Sequence, residues 1–80
     1  MDTVTAVRNR ILILCEERKF TLNHLATESG IAPSSLKNIL YGKSMNPTIL
    51  TIKKLCDGLN ITLRTFFDTP EFENLEQEIK

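Results

Sequence analysis

The stretch TLNHLATESGIAPSSLKNILYG, Thr21 to Gly42, decides the fold. Its apolar residues fall at helical spacing twice, with a break between the two runs. In the first run Leu22, Leu25 and Ala26 make one stripe, and Thr21 is placed to cap its start. Ser29-Gly30 ends that helix, glycine supplying the left-handed backbone that a sharp corner needs. Ile31 follows as an apolar pin between the helices. Pro33 opens the second run at the first helical position, where a missing N–H costs nothing. Leu36, Ile39 and Leu40 face inward, which turns Ser34, Ser35, Lys37, Asn38 and Tyr41 outward. An outward face rich in hydrogen-bonding groups and free of carboxylates suits a polyanion.

Eighty residues, 41% hydrophobic and 25% charged, describe one ordinary globular domain. A chain of this length buries roughly 60–65% of its unfolded surface, so modest stability and a single core are expected. A separate sensing or catalytic domain is not expected within these residues. No apolar run approaches the ~20 residues that span a bilayer. The opening MDTVTAVRNR lacks the basic-then-apolar order of a secretion signal, and Ile11–Cys15 is a run of only five. A cytoplasmic, nucleoid-associated protein without membrane contact is the expectation.

The formal net charge is zero, but its distribution is uneven. Residues 1–67 hold nine lysines and arginines against five acids, a surplus of four positive charges. Residues 68–80 hold Lys80 against Asp68, Glu71, Glu73, Glu76 and Glu78. Between Thr21 and Lys54 Glu28 is the sole acid, against four lysines. A mildly basic body thus carries an acidic extension. So weak a field predicts modest non-specific affinity and a need for paired subunits.

The remaining elements also read as helices. Val4, Val7, Ile11 and Leu14, with Cys15 alongside, predict a longer first helix that starts at Asp2 or Thr3 and ends in Glu16–Lys19. A breaker-dense loop covers Gly42–Pro47, with Met45 as a partly exposed apolar contact. Thr48 caps a fourth helix whose buried stripe is Ile49, Ile52, Leu55, Cys56 and Leu59, closed by a left-handed Asn60. Thr62 caps a short fifth helix with Leu63, Phe66 and Phe67. Pro70 predicts a short last helix with Phe72, Leu75 and Ile79 on one side. No segment alternates at period two, so the fold class is all-α. The expected division is a domain over 1–67 and an acidic C-terminal extension over 68–80. Three roles suit the extension: folding back over the first or fifth helix, joining a dimer interface with Phe66 or Phe67, or competing with a polyanion for the basic surface.

From Arg8 to Phe67, about three quarters of the chain, the sequence resembles the Cro/CI-type (Xre-like) helix-turn-helix transcriptional regulators of bacteria and phages. The resemblance rests on Thr21-x-x-x-Leu25-Ala26, Ser29-Gly30-Ile31, Ser34-Ser35-Leu36-x-x-Ile39, Gly42, Asn46-Pro47 and Thr48. Leu59-Asn60-Ile61-Thr62 ahead of Phe66-Phe67 completes it. It implies a five-helix bundle of the phage-repressor type. Its third helix, Pro33 to Tyr41, would read double-stranded DNA in the major groove as part of a homodimer on a two-fold operator.

The resemblance also implies residue roles. Base-reading positions fall on Pro33, Ser34, Lys37 and Asn38. Asn38 suits adenine, Lys37 suits guanine, Ser34 accommodates either, and Pro33 offers only an apolar contact such as a thymine methyl. Phosphate-contacting positions fall on Thr21, Asn23, Ser35, Tyr41, Lys43 and Asn46. The second helix N-terminus adds its exposed N–H groups. Leu22 stands where the family usually places a glutamine, which shifts that contact to Asn23 or His24.

Taken singly, Ser34, Ser35 and Asn38 are ordinary solvated surface, and only the motif gives them weight. Tyr41 either packs its ring on the fourth helix or stands free. His24 has no second histidine or carboxylate at ligand spacing, and Cys15 and Cys56 read as buried free thiols, so no metal or cofactor is called for. With no nucleophile–base pair, paired carboxylates or phosphate loop, an enzyme is not expected. A sequence-specific regulator, acting as a repressor and controlled by its concentration or by a regulatory protein partner, is the leading expectation. The rival is a protein-interaction module of the same fold, such as an antitoxin or anti-regulator.

Overall fold

The computed structural model describes residues 1–42 and 46–79. Lys43, Met45 and the expectations attached to them lie outside the described residues. Five α-helices follow one another: α1 Thr3–Arg18, α2 Leu22–Ser29, α3 Pro33–Tyr41, α4 Ile49–Leu59 and α5 Leu63–Phe67. A 3-10 turn over Pro70–Glu73 comes last. None of the described helices is long and apolar enough to cross a membrane.

The helix boundaries follow from local chemistry. Asp2 Oδ1 accepts the Thr5 N–H at 2.8 Å and starts α1. Thr21, Thr48 and Thr62 accept the N–H three residues on, at 3.0, 3.1 and 3.0 Å, and start α2, α4 and α5. Each cap satisfies a donor that the helix cannot satisfy itself. Gly30 at φ 68° and Asn60 at φ 58° close α2 and α4 in the left-handed region. Lys19, at φ 57°, closes α1 in the same way.

The apolar stripes converge on one core. Ile11, Leu25, Leu36, Leu55, Leu59 and Phe66 are fully buried, one or two from each helix. Burying a side chain of this size contributes about 1.5–3 kcal/mol, so these few residues hold the bundle together. Helix α2 packs mainly on α4 and α3. At the α2–α4 crossing a Cβ on Gly58 would stand 2.3 Å from Ser29 Oγ, so the two backbones meet where only glycine fits. Cys15 and Cys56 are buried free thiols, and burial pushes both pKa values up.

Three arginines of α1 each reach the C-terminal end of another helix. Arg8 donates to the carbonyls of Ile39 and Gly42, at 2.9 and 3.0 Å, at the end of α3. Arg10 donates to Phe66 and Thr65, at 2.7 and 2.9 Å, at the end of α5. Arg18 donates to the Leu59 carbonyl at the end of α4. A helix leaves its last carbonyls unpaired and its C-terminus partially negative, so a guanidinium there answers both.

Two expectations are corrected. Ile49 is 63% exposed and lies outside the buried stripe of α4. It sits in the first turn, beyond the edge of the core that begins at Ile52. The predicted last helix is absent among the described residues: only the 3-10 turn forms, Leu75 is half-buried and Ile79 is 88% exposed. A helix of about ten residues is marginal in water, and four glutamates crowded into it make it worse. Instead, Phe72 packs its ring on Phe66 and Phe67, with centroids 6.3 and 5.0 Å apart. Beyond it the chain bonds to the start of α1 through Glu76 N–H to Met1 O at 3.2 Å and Thr3 Oγ1 to Glu78 at 2.9 Å. Folding back over the first and fifth helices is the role the structure gives this segment.

Candidate nucleic-acid interface

Helix α3 is amphipathic, and the bundle turns its polar side out. Leu36, Ile39 and Leu40 are buried. Pro33, Ser34, Ser35, Lys37, Asn38 and Tyr41 are all exposed. Tyr41 is 67% exposed, so its ring stands free. Pro33, Ser34, Lys37 and Asn38 occupy two successive turns on one side of the helix. The helix starts on Ala32 without a side-chain cap, and its last turn is held from behind by Arg8.

An open cleft of about 450 Å³ separates α3 from the start of α4. Ser35, Asn38 and Asn46 line it together, joined by Thr48 and Thr51. Three sequence-predicted residues thus meet in one place. Thr48 Oγ1 and Thr51 Oγ1 lie 3.1 Å apart at the α4 N-terminus, an end with unpaired N–H groups and partial positive charge. Sequence reasoning assigned Thr48 only as a cap and did not name Thr51. The signal was the pair of small hydroxyls three residues apart, Thr48 and Thr51, next to Asn46.

The remaining predicted residues lie at the start of α2. Thr21 Oγ1 accepts the His24 N–H, so its own hydroxyl proton stays available for donation. Asn23 is exposed. Leu22 is half-buried against the core and has become a packing residue. For His24 the expectation of no carboxylate within reach is corrected: Glu28, one turn on, lies 3.4 Å from Nε2. The imidazole also stacks on Phe20 at 4.1 Å, so of the two substitutes for the glutamine, Asn23 is the unencumbered one.

The electrostatics differ from a simple count of charges. Arg8, Arg10 and Arg18 are turned to backbone carbonyls, and Lys53 pairs with Asp57 on α4. The outward cationic contribution of α3 is therefore Lys37 alone. Arg8 is the support of the α3 face that the sequence hid most thoroughly. Its one visible mark was a charge flanking the stripe of Val7 and Ile11.

These features define a helix-turn-helix unit with an uncovered second helix. The chain belongs to the Cro/C1-type HTH DNA-binding domain family, whose model matches residues 10–71. It is similar to the HTH-type transcriptional repressor RghR of Bacillus subtilis, 48% identical over 48 residues, which are 60% of this chain and 36% of that protein. It is 38% identical over 60 residues to the HTH-type transcriptional regulator SlrR of Bacillus subtilis, covering 74% of this chain and 40% of that one. With the HTH-type transcriptional regulator SutR of Escherichia coli it shares 33% identity over 58 residues, 72% and 32% of the respective chains. The chain thus spans roughly a third to two fifths of the length of these relatives. The crystal structure of the prophage Lp1 protein 11 matches it with a TM-score of 0.80 at 33% identity, covering 94% of this chain and 100% of that one.

Proposed function

We propose that this chain is a sequence-specific DNA-binding transcriptional regulator, a repressor that lays α3 in the major groove as a homodimer. The observation that carries the proposal is the uncovered polar face of α3, from Pro33 to Tyr41, anchored from beneath by Leu36, Ile39 and Leu40. Family membership supports DNA as the partner, and the relatives' names support regulation of transcription. In this reading Asn38 binds adenine bidentately, Lys37 donates to guanine, Ser34 bonds either base and Pro33 touches a thymine methyl. Thr21, Asn23, Ser35, Tyr41, Lys43 and Asn46 hold phosphates. The cleft between α3 and α4 would take a phosphate of the strand beside the reading face. Pairing is needed for affinity, since a single module with so few outward cations binds weakly. A protomer of 37 × 25 × 20 Å is commensurate with half-sites ~34 Å apart.

Selection from a random duplex pool at two salt concentrations tests the reading. One enriched, salt-sensitive sequence is expected. Asn38→Ala should cost ~1–3 kcal/mol and relax the preference at one position, whereas Lys43→Ala should weaken all sequences alike. Failure to enrich any duplex at low salt would overturn the proposal. The inward turn of three arginines favours the protein-interaction reading as the second choice, with salt-insensitive capture of a protein as its mark.

A further inference from the structure

Residues 1–67 carry a surplus of four positive charges, and residues 68–80 cancel it. The acids that do so, Asp68, Glu71, Glu73, Glu76 and Glu78, are all exposed. The segment that bears them is nonetheless held in place. Phe72 seats on Phe66 and Phe67, the Glu76 N–H bonds to Met1 O, and Glu78 accepts from Thr3 Oγ1. Among the described residues Asp68, Glu71, Glu73 and Glu78 have no cationic group within 4 Å, while Glu76 has the Met1 amine at 3.7 Å. We infer, resting on the DNA-binding reading above, that this docked segment is an electrostatic brake on the sequence-independent part of DNA affinity. Its carboxylates repel phosphates at a distance and leave the α3 face open.

Position separates a brake that acts through its field from one that covers the surface. None of the described hydrogen bonds or ion pairs joins residues 68–79 to α3, and the polar residues of α3 stay exposed. The segment does reach the neighbourhood of that helix. Glu78 is tied to Thr3 of α1, and Arg8, five residues further on, donates to the last turn of α3. Five residues of helix rise ~7.5 Å, which puts the Glu78 carboxylate on the order of 10–20 Å from the end of α3. The Debye length is about 10 Å in 0.1 M salt and about 30 Å in 0.01 M. Repulsion over this distance is therefore felt in dilute salt and screened in concentrated salt. The attraction it opposes is small, because Arg8, Arg10 and Arg18 are turned to carbonyls and Lys37 is the outward cation of α3. Base edges are read only at contact, so a field from this segment acts on phosphates and leaves base preference alone.

Fluorescence anisotropy with a labelled random-sequence duplex tests the brake in the full chain. Glu73→Gln, Glu76→Gln and Glu78→Gln are combined in one variant. Glutamine at 78 keeps an acceptor for Thr3, and the other seating contacts use the Glu76 N–H and the Phe72 ring. The segment should therefore stay docked and the melting temperature unchanged. This variant should bind the random duplex about threefold or more tighter than the original in ~0.01 M salt, and within about 1.5-fold of it in ~0.3 M. Glu73→Lys alone, at a side chain with no described hydrogen bond, should give about twofold in dilute salt without touching the seating. Equal affinities in dilute salt would overturn the brake. So would a gain that persists in concentrated salt, which marks a segment covering the contact surface. A chain that enriches no sequence yet shows the salt-dependent gain keeps the brake and loses the sequence-specific reading. One that enriches a duplex but shows no gain keeps that reading and loses the brake, and failure of both proteins to bind duplex in dilute salt removes both.

Discussion

Replacing Arg8 by methionine keeps most of the aliphatic stem and deletes the guanidinium. The structure gives the size of the effect. Arg8 donates two hydrogen bonds, to Ile39 O and Gly42 O, from a half-buried position. A charge-assisted bond contributes about 1.5–3 kcal/mol when sheltered, and partial solvent access lowers the sum of the two toward about 2 kcal/mol. Loss of a cation at the α3 C-terminus adds about 0.3–1 kcal/mol. A total near 2–3 kcal/mol is a large share of the roughly 4–12 kcal/mol expected for a domain of this length. It corresponds to a fall in melting temperature of roughly 10–20 °C. Arg8→Lys should fall between, keeping the charge but losing the fork that spans two carbonyls. Urea denaturation measures the stability, and amide exchange locates it. Exchange should speed first at Ile39–Gly42, the last turn of α3. A methionine variant as stable as the original, or one whose faster exchange spares α3, would refute the clamp.

Other substitutions probe the packing and the caps. Gly58→Ala gains about 0.5–1 kcal/mol of helix propensity but forces a Cβ to within 2.3 Å of Ser29 Oγ, so a net loss of about 1–2 kcal/mol is expected on thermal melting. Ser29→Ala removes a buried hydroxyl without a hydrogen-bond partner and should raise stability by up to about 1 kcal/mol; combined with Gly58→Ala it should recover part of that loss. The Thr5 N–H holds the Asp2 carboxyl below its ordinary pKa, so the stability it confers is complete above the unfolded-state pKa and drains as pH falls through the folded one. Melting temperature should therefore drop more steeply below about pH 4 in the original than in Asp2→Asn, which keeps a cap but cannot titrate. Burial raises both thiols, so Cys15 and Cys56 should stay unreactive toward a disulfide reagent at neutral pH until the protein unfolds, and rapid native-state labelling would contradict their placement.

The features legible in the sequence are those set within one turn of a residue. Thr21, Thr48 and Thr62 cap helices because a hydroxyl reaches only three residues along, and Gly30 and Asn60 close them because of their own backbone preference. The apolar periods located the core for the same reason. Ile49 misled because periodicity gives a direction around the helix but not where along it the core ends. The last helix failed because apolar spacing at Phe72, Leu75 and Ile79 omits the repulsion among the glutamates between them. The predicted polar face of α3 emerged exposed, since it follows from the burial of Leu36 and Ile39. The support of that face was not legible. Arg8 meets partners 31 and 34 residues away, and no local pattern announces a pairing with a backbone carbonyl.

The three arginine clamps bear on how separable the helix-turn-helix is from its surroundings. Helix α1 closes the ends of α3, α4 and α5 across sequence distances of 31 to 56 residues. An excised peptide of residues 21–42 would keep its cap and its corner, yet its second helix would end in bare carbonyls with nothing to hold its pitch. The motif is therefore not a transplantable part. Grafting the outward polar residues of α3 onto another scaffold should succeed only where that scaffold brings its own cation to the same helix end.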